Sequence, residues 1–317
     1  MSNQLYFAHL SDIHLCHAGD RGDILGGHAA GFLANVITQL NNRPELEFVL
    51  ISGDLVNDAL AAEFDQFDQL ISRLKKPYYI IPGNHDRRDA EATVGLTRYE
   101  VAQRYNPQVS QRPVDGNSQA GYWSQTVKTG IQLIGLDSIR DADWGGEVDE
   151  NQLNWLKQEL PRHADKLVIL TIHHPLHPLA PIDETPKGRN FYANNGAELI
   201  ALLDQHPQCQ LVLTGHHHCT RADMVGARLH LACPGIGIYP FAYRTIRLTQ
   251  QTDQAWQVSW QTHPASDDKT VAYGRALMLE VWQEKANIPL EVVEVHADIA
   301  WGPSDYDRLG EMILSHH

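Results

Sequence analysis

The chain is poor in three things, and each shortage removes a class of function. No apolar stretch approaches the roughly 20 consecutive residues that a helix needs to cross a bilayer, so the expectation is a protein with no membrane span. Cysteine is scarce. Cys16, Cys209, Cys219 and Cys233 are the only four in 317 residues, and none stands in C-x-x-C spacing. That excludes a short disulfide scaffold and points to reduced thiols in a cytoplasmic setting. Positive charge is also short, 25 Lys and Arg against 39 Asp and Glu for a formal net charge of −14. A groove that tracks long nucleic acid depends on clustered Lys and Arg and is therefore not expected. A small phosphate ester is not excluded, because bound cations would dominate the field around it. Residues Met1-Ser2-Asn3-Gln4 run straight into an apolar segment, with no basic region followed by an apolar one as in an export signal.

Histidine is plentiful at 18 residues, and many stand in clusters. The clusters are Ser11-Asp12-Ile13-His14, Gly53-Asp54-Leu55-Val56-Asn57, Gly83-Asn84-His85-Asp86, His173-His174-Pro175 and Gly215-His216-His217-His218. Alone, each is a weak signal, since a Gly-Asp pair usually marks only a turn. Together they are strong because every one ends a short apolar run: 7–10, 48–51, 78–81, 167–170 and 211–213. Such runs read as buried strands, and ligands of open α/β sheets gather beyond the carboxyl ends of strands. Carboxylate, amide and imidazole donors without thiolate suit Mn, Fe, Zn or Co and do not suit an all-oxygen calcium cage.

The order of these clusters resembles the calcineurin-like metallophosphoesterases, with D-x-H, G-D-x-x-[ND], G-N-H-[DE], H and G-H-x-H all present between about residues 5 and 247. Ser-Asp-x-His-Leu, Gly-Asn-His-Asp and His-His-Pro look most like the bacterial class III cyclic-nucleotide phosphodiesterase and glycerophosphodiesterase branch. Two positions depart from that branch: Leu176 stands where a second proline is common, and His217 where a small residue is common. The resemblance implies a four-layer α/β/β/α sandwich with two mixed sheets flanked by helices. It also implies two transition-metal ions per chain. One would be held by Asp12, His14 and His218, the other by Asn84, His173 and His216, with Asp54 bridging. Cations roughly 3.5–4 Å apart can hold a hydroxide and stabilise in-line displacement at phosphorus. In the family pattern His85 faces the substrate and assists the leaving oxygen, a role that suits an imidazole titrating near neutrality. Asp86 is the expected orienting partner of His85. Arg87 and Arg88 are candidates for a phosphate oxygen, and His174 and His217 for support of the ligands or lining of the phosphate pocket.

Along the chain, helical spacing recurs over 28–40, 58–74, 91–105, 149–160 and 193–205, with a hairpin over 122–136 around Lys128-Thr129-Gly130. Asn57 and Asp58 read as caps of the helix that begins near Ala59. Residues 18–27 are Gly-rich and read as a mobile loop over the rim. Strands over 229–233, 243–249 and 256–262 are expected as antiparallel members of a second sheet. The expected division is a catalytic domain over 1–263 and an extension over 264–317 packed on it, with strands at 275–282 and 290–295 and a helix at 306–315. His9, His28, His163, His206, His230, His263 and His296 read as ordinary core or surface histidines, and Trp144, Trp155 and Trp301 as ordinary aromatics.

The expected activity is hydrolysis of a small phosphodiester, with 3′,5′-cyclic nucleotide first and glycerophosphodiester or phosphomonoester as alternatives on the same metal core. Specificity is expected to lie in residues 17–28 and 178–195. A homo-oligomer is compatible with the sequence. The competing class is a non-catalytic binding scaffold. It is disfavoured because scaffold members lose site residues, whereas every inferred ligand and His85 are present here.

Overall fold

The computed structural model describes residues 3–87, 95–105, 121–140, 143–186, 188–252, 255–284 and 287–315. In chain order the first half contains β1 (Gln4–Leu10), α1 (Ala29–Asn41), β2 (Phe48–Ile51), α2 (Ala61–Ile71), β3 (Tyr78–Ile80), α3 (Arg98–Tyr105), β4 (Trp123–Lys128), β5 (Ile131–Gly135) and α4 (Glu150–Glu159). The second half contains β6 (Leu167–Thr171), α5 (Gly196–Leu203), β7 (Cys209–Thr214), β8 (Arg221–Val225), β9 (Arg228–Ala232), β10 (Ala242–Thr252), β11 (Ala255–Pro264), α6 (Asp268–Glu284), α7 (Leu290–Trp301), α8 (Asp305–Arg308) and β12 (Leu309–Ser315).

Two six-stranded mixed sheets result, ordered β12-β11-β10-β1-β2-β3 and β4-β5-β6-β7-β9-β8. β1, β2 and β3 pair in parallel, as do β5, β6, β7 and β9. The strands of the site read as unbroken apolar runs because both of their faces are buried. Leu5 and Phe7 of β1, Phe48 and Leu50 of β2, Leu167 and Ile169 of β6, and Leu211 and Leu213 of β7 point into one cluster between the sheets. Phe7 and Phe48 stack there with ring centroids 4.8 Å apart. Their alternates turn outward. Ala8, Leu10, Val49 and Ile51 meet Leu33, Val36, Ile37, Phe64 and Phe67 of α1 and α2, while Val168, Leu170 and Val212 meet Leu153, Leu156, Leu199 and Leu203 of α4 and α5. This is the expected sandwich of helices on sheet on sheet on helices. Each fully buried Leu, Ile or Phe contributes about 1.5–3 kcal/mol.

Several local expectations are corrected. Residues 229–233 do join the second sheet, antiparallel to β8 as expected and parallel to β7 on the other side. Residues 243–249 and 256–262 lie instead in the first sheet, because β10 pairs antiparallel with β1. In the tail most types are exchanged: 275–282 and 290–295 fall in α6 and α7, and of the helix expected over 306–315 only 306–308 are helical, in α8, while 309–315 forms β12, which extends the first sheet against β11. Neither Asn57 nor Asp58 caps α2. The Glu63 carboxylate takes the free N–H groups of Asp58 and Leu60, and Asn57 Nδ2 donates to the Asp58 carboxylate. Of the helix expected over 91–105, residues 98–105 are helical, 95–97 are not, and 91–94 lie outside the described residues.

The α6/α7 pair sits over the rim. Met278, Ala297 and Ala300 pack with Leu25, Tyr239 and Phe241, and a Cβ on Gly274 would meet the Phe241 ring at 2.2 Å. The Gly-rich loop over 18–27 is tied to this pair, since Trp282 Nε1 donates to Asp23 at 2.9 Å.

Candidate active site

The loops after β1, β2, β3, β6 and β7 meet at one rim and bring all seven inferred ligands together. Their backbone is unusual. Asp12, His14, Asp54, His216 and His218 all take positive φ, between 50° and 63°. That region is costly for residues with a Cβ and persists only where surrounding structure enforces it. Here the enforcement is close packing of three glycines. A Cβ on Gly83 would lie 2.1 Å from an Asp54 oxygen, one on Gly215 would lie 1.8 Å from Ser11 Oγ, and one on Gly53 would lie 2.6 Å from His173 Nδ1. The glycine of each motif is what lets the neighbouring loop approach.

The side chains converge on two points that share one oxygen. His14 Nε2 lies 3.4 Å from His218 Nε2 and 3.6 Å from Asp54 Oδ2, and His218 Nε2 lies 3.3 Å from Asp12 Oδ1. On the other side, His173 Nε2 lies 3.4 Å from the same Asp54 Oδ2 and 3.1 Å from Asn84 Oδ1. One donor atom from each of Asp54, His173 and His216 falls within 4.8 Å of the others. Around an ion with ligands at about 2.0–2.1 Å, neighbouring donors sit about 3.0–3.4 Å apart. The observed separations run from 3.1 to 3.6 Å, with 3.9 Å between His14 Nε2 and Asp12 Oδ1, close to those of donors turned toward a common cation. The donor set therefore fits the implied metal pair.

The far nitrogens support that fit. His173 Nδ1 donates to the Ser52 carbonyl at 2.6 Å and His216 Nε2 to the Asn190 carbonyl at 3.0 Å, which leaves the other nitrogen of each ring for the donor cluster. For His216 that free atom, Nδ1, is buried with no hydrogen-bond partner. Burial pushes the His14 imidazole down to about 3 and holds His216 well below its usual range, so both stay neutral, the form that binds metal. Burial opposes ionisation of Asp54, yet His173 and His85 beside it hold its carboxyl well below the usual range.

The His85 ring hydrogen-bonds outside the donor set, although one of its nitrogens lies within 4.8 Å of donor atoms of His14 and Asp54. Its Nδ1 donates to the Asn57 carbonyl at 2.7 Å, and its ring stands edge-on to His14 at 4.7 Å. Asp86 does not orient it, which corrects the expectation drawn from adjacency. The Asp86 carboxylate accepts instead from the N–H groups of Leu55, Val56 and Gly83 and so ties the Asp54 loop to the Asn84 loop. Burial, and then the nearby Asp54, push its pKa up to about 7. A cleft of about 320 Å³ opens beside His85 and Asn84 and is also lined by Asn57, Arg87, Arg140 and Trp144. Arg87 borders it with its guanidinium 2.9 Å from Asp137; Arg88 lies outside the described residues. His174 is held between Ser138 Oγ and the Trp144 carbonyl, at 2.8 and 3.0 Å. His217 points away from the ligands to Asp183, at 2.6 Å. Sequence reasoning missed Arg140 and Trp144. No motif marks them, and only the fold carries them to the cleft, where Trp144 remains 48 % exposed.

This arrangement, two candidate metal-binding clusters at a strand-end rim, is that of a phosphoester hydrolase. The sequence model of the Calcineurin-like phosphoesterase family matches residues 5–220, and the chain belongs to that family. The chain is 27 % identical to the Glycerophosphodiester phosphodiesterase GpdQ of Enterobacter lignolyticus over 68 % of its own length and 71 % of that protein. It is 28 % identical to a 3′,5′-cyclic-nucleotide phosphodiesterase of Nostoc sp. over 67 % of its length and 70 % of that protein. Among solved structures, purple acid phosphatase PPD1 from yellow lupin shares the fold, with a TM-score of 0.53 and 16 % identity. That match covers 84 % of this chain, which spans about half, 52 %, of the lupin protein. Among the described residues no helix is long and apolar enough to cross a membrane, and all four cysteines are free and buried.

Proposed function

We propose that the chain hydrolyses a small phosphodiester, with a 3′,5′-cyclic nucleotide as first substrate, on a pair of transition-metal ions. Asp12, His14 and His218 hold one ion, Asn84, His173 and His216 the other, and Asp54 is shared. The observation that carries the reading is the single Asp54 oxygen, 3.6 Å from His14 Nε2 and 3.4 Å from His173 Nε2, on a carboxylate that also accepts from the backbone N–H of His85, a residue lining the cleft. When bound, such ions polarise a phosphoryl oxygen and activate water for in-line displacement.

The remaining work falls to the chain. Asp54 brings negative charge that lets two cations sit close, and its second oxygen is fixed by the His85 backbone N–H at 2.8 Å. His85 keeps its Nδ1 proton on the Asn57 carbonyl. A proton for the leaving alkoxide therefore comes from Nε2 of the imidazolium, and general-acid help of this kind is worth roughly 10²–10⁴-fold. The cleft, at about 320 Å³, has room for a nucleotide-sized ligand. The names of the GpdQ and Nostoc relatives support a diester rather than a monoester. Initial rates on cyclic AMP, a glycerophosphodiester and phosphomonoesters with one metal-loaded preparation are the test. Faster cleavage of the diesters is expected. A strong preference for monoesters would end the phosphodiesterase reading and leave the hydrolase reading standing.

A further inference from the structure

The tripeptide His216-His217-His218 serves two sides. His216 and His218 face the rim, and His217, one residue out of phase, faces the space under α7. There it meets Cys219, two residues on, and His296 from α7, some eighty residues away in sequence. One donor atom from each of the three lies within 4.8 Å of the others. All are buried, at 1 %, 0 % and 3 % exposure for His217, Cys219 and His296.

Three observations make this more than a polar accident. His217 Nε2 donates to the Asp183 carboxylate at 2.6 and 2.8 Å, and that carboxylate is fixed by the N–H groups of Leu179 and Ala180. A histidine with one nitrogen on a buried carboxylate presents the other as a fixed, more basic ligand, the usual support of a metal-bound imidazole. That other atom, Nδ1, is the one beside Cys219 Sγ, at 3.0 Å. His296, in turn, has a buried Nδ1 with no hydrogen-bond partner, a costly arrangement for a buried polar atom. Its ring stacks on His217 at 5.1 Å and on Trp282 at 4.4 Å.

We infer that His217, Cys219 and His296 form a separate site for a thiophilic ion such as zinc, which links α7 to the loop carrying His216 and His218. Thiolate with two imidazoles selects zinc over manganese, so the site is distinct in chemistry from the thiol-free pair at the rim. At 3.0 Å the thiol and imidazole are in hydrogen-bond contact. Around a tetrahedral zinc, with Zn–S about 2.3 Å and Zn–N about 2.0–2.1 Å, they would stand about 3.6 Å apart, so the pair opens by only about half an ångström. Binding releases the Cys219 proton and leaves a thiolate on the ion, with the His217 proton retained at Nε2 on Asp183.

Cobalt(II) loading of the full chain is the test. Its readout, a thiolate-to-cobalt charge-transfer band in the near ultraviolet, cannot come from the rim donors, which include no sulfur, and so does not depend on the rim pair being occupied. The band is expected in the unchanged protein and in a chain whose rim pair is disrupted by Asp54→Ala. It should vanish in Cys219→Ser and weaken or shift in His296→Gln. Absence of the band from folded, fully reduced, cobalt-loaded protein would overturn the proposal. So would its persistence in Cys219→Ser, which would assign it to another thiol such as Cys16. Should Cys219→Ser fail to fold, the spectra of the unchanged protein and of His296→Gln still decide.

Discussion

The two sheets bring different chemistry to the rim. Loops of the first supply Asp12, Asp54 and Asn84, every oxygen donor of the candidate site, together with His14. Loops of the second supply only imidazoles, His173, His216 and His218. Each half is also braced by the other. The His216 N–H donates to Asp12 at 3.0 and 3.2 Å, and His173 donates to the Ser52 carbonyl at 2.6 Å. The lesson is that neither half is a metal site alone. The anionic half would repel itself and the imidazole half brings no negative charge, so the candidate centre is complete only where the two sheets pack with their strand ends aligned.

If that division is right, the largest effect follows loss of the one group both pockets share. Asp54→Ala should lower diesterase activity by about 10⁴-fold or more, the several kcal/mol that paired cations contribute to charge stabilisation. Metal analysis should show both rim ions weakened, whereas Asn84→Ala should weaken one. Next comes His85→Ala, where turnover should fall roughly 10²–10⁴-fold on substrates with poor leaving groups. Metal content should stay intact, and the loss should shrink for a nitrophenolate leaving group; equal losses on both would remove the general-acid role. Smaller again is Trp144→Ala. If the half-exposed ring stacks on a nucleobase, KM for cyclic AMP should rise by about tenfold, in line with about 1–3 kcal/mol per stacked base. The KM for bis-nitrophenyl phosphate should change little. The smallest effect is on stability. Gly215→Ala forces a methyl against Ser11 at the seam and should cost about 1–3 kcal/mol, read as a lowered Tm.

The rim was legible in the sequence because its determinants are local. Strands buried on both faces leave unbroken runs such as 48–51 and 167–170, and each run delivers its ligands within a few residues of its end. What sequence could not show is contact between distant segments. Asp86 stands beside His85 in the chain, yet its carboxylate serves the backbone of Leu55 and Val56, about thirty positions earlier. His296 looked like one core histidine among many until α7 placed it on His217. The tail misled for a different reason. α6 buries only Gly274 and Met278 among its described side chains, so it carries no clear apolar stripe. β12 is an edge strand whose run Met312-Ile313-Leu314 has no period that separates strand from helix.

Catalysis by the proposed mechanism needs two cations at the rim, and manganese separates that pair from the thiolate site. Protein stripped by chelation should be inactive on bis-nitrophenyl phosphate. Titration with manganese, a poor match for Cys219, should restore activity and saturate at about two ions per chain. Full diesterase activity in stripped protein, or recovery complete at one ion, would contradict it.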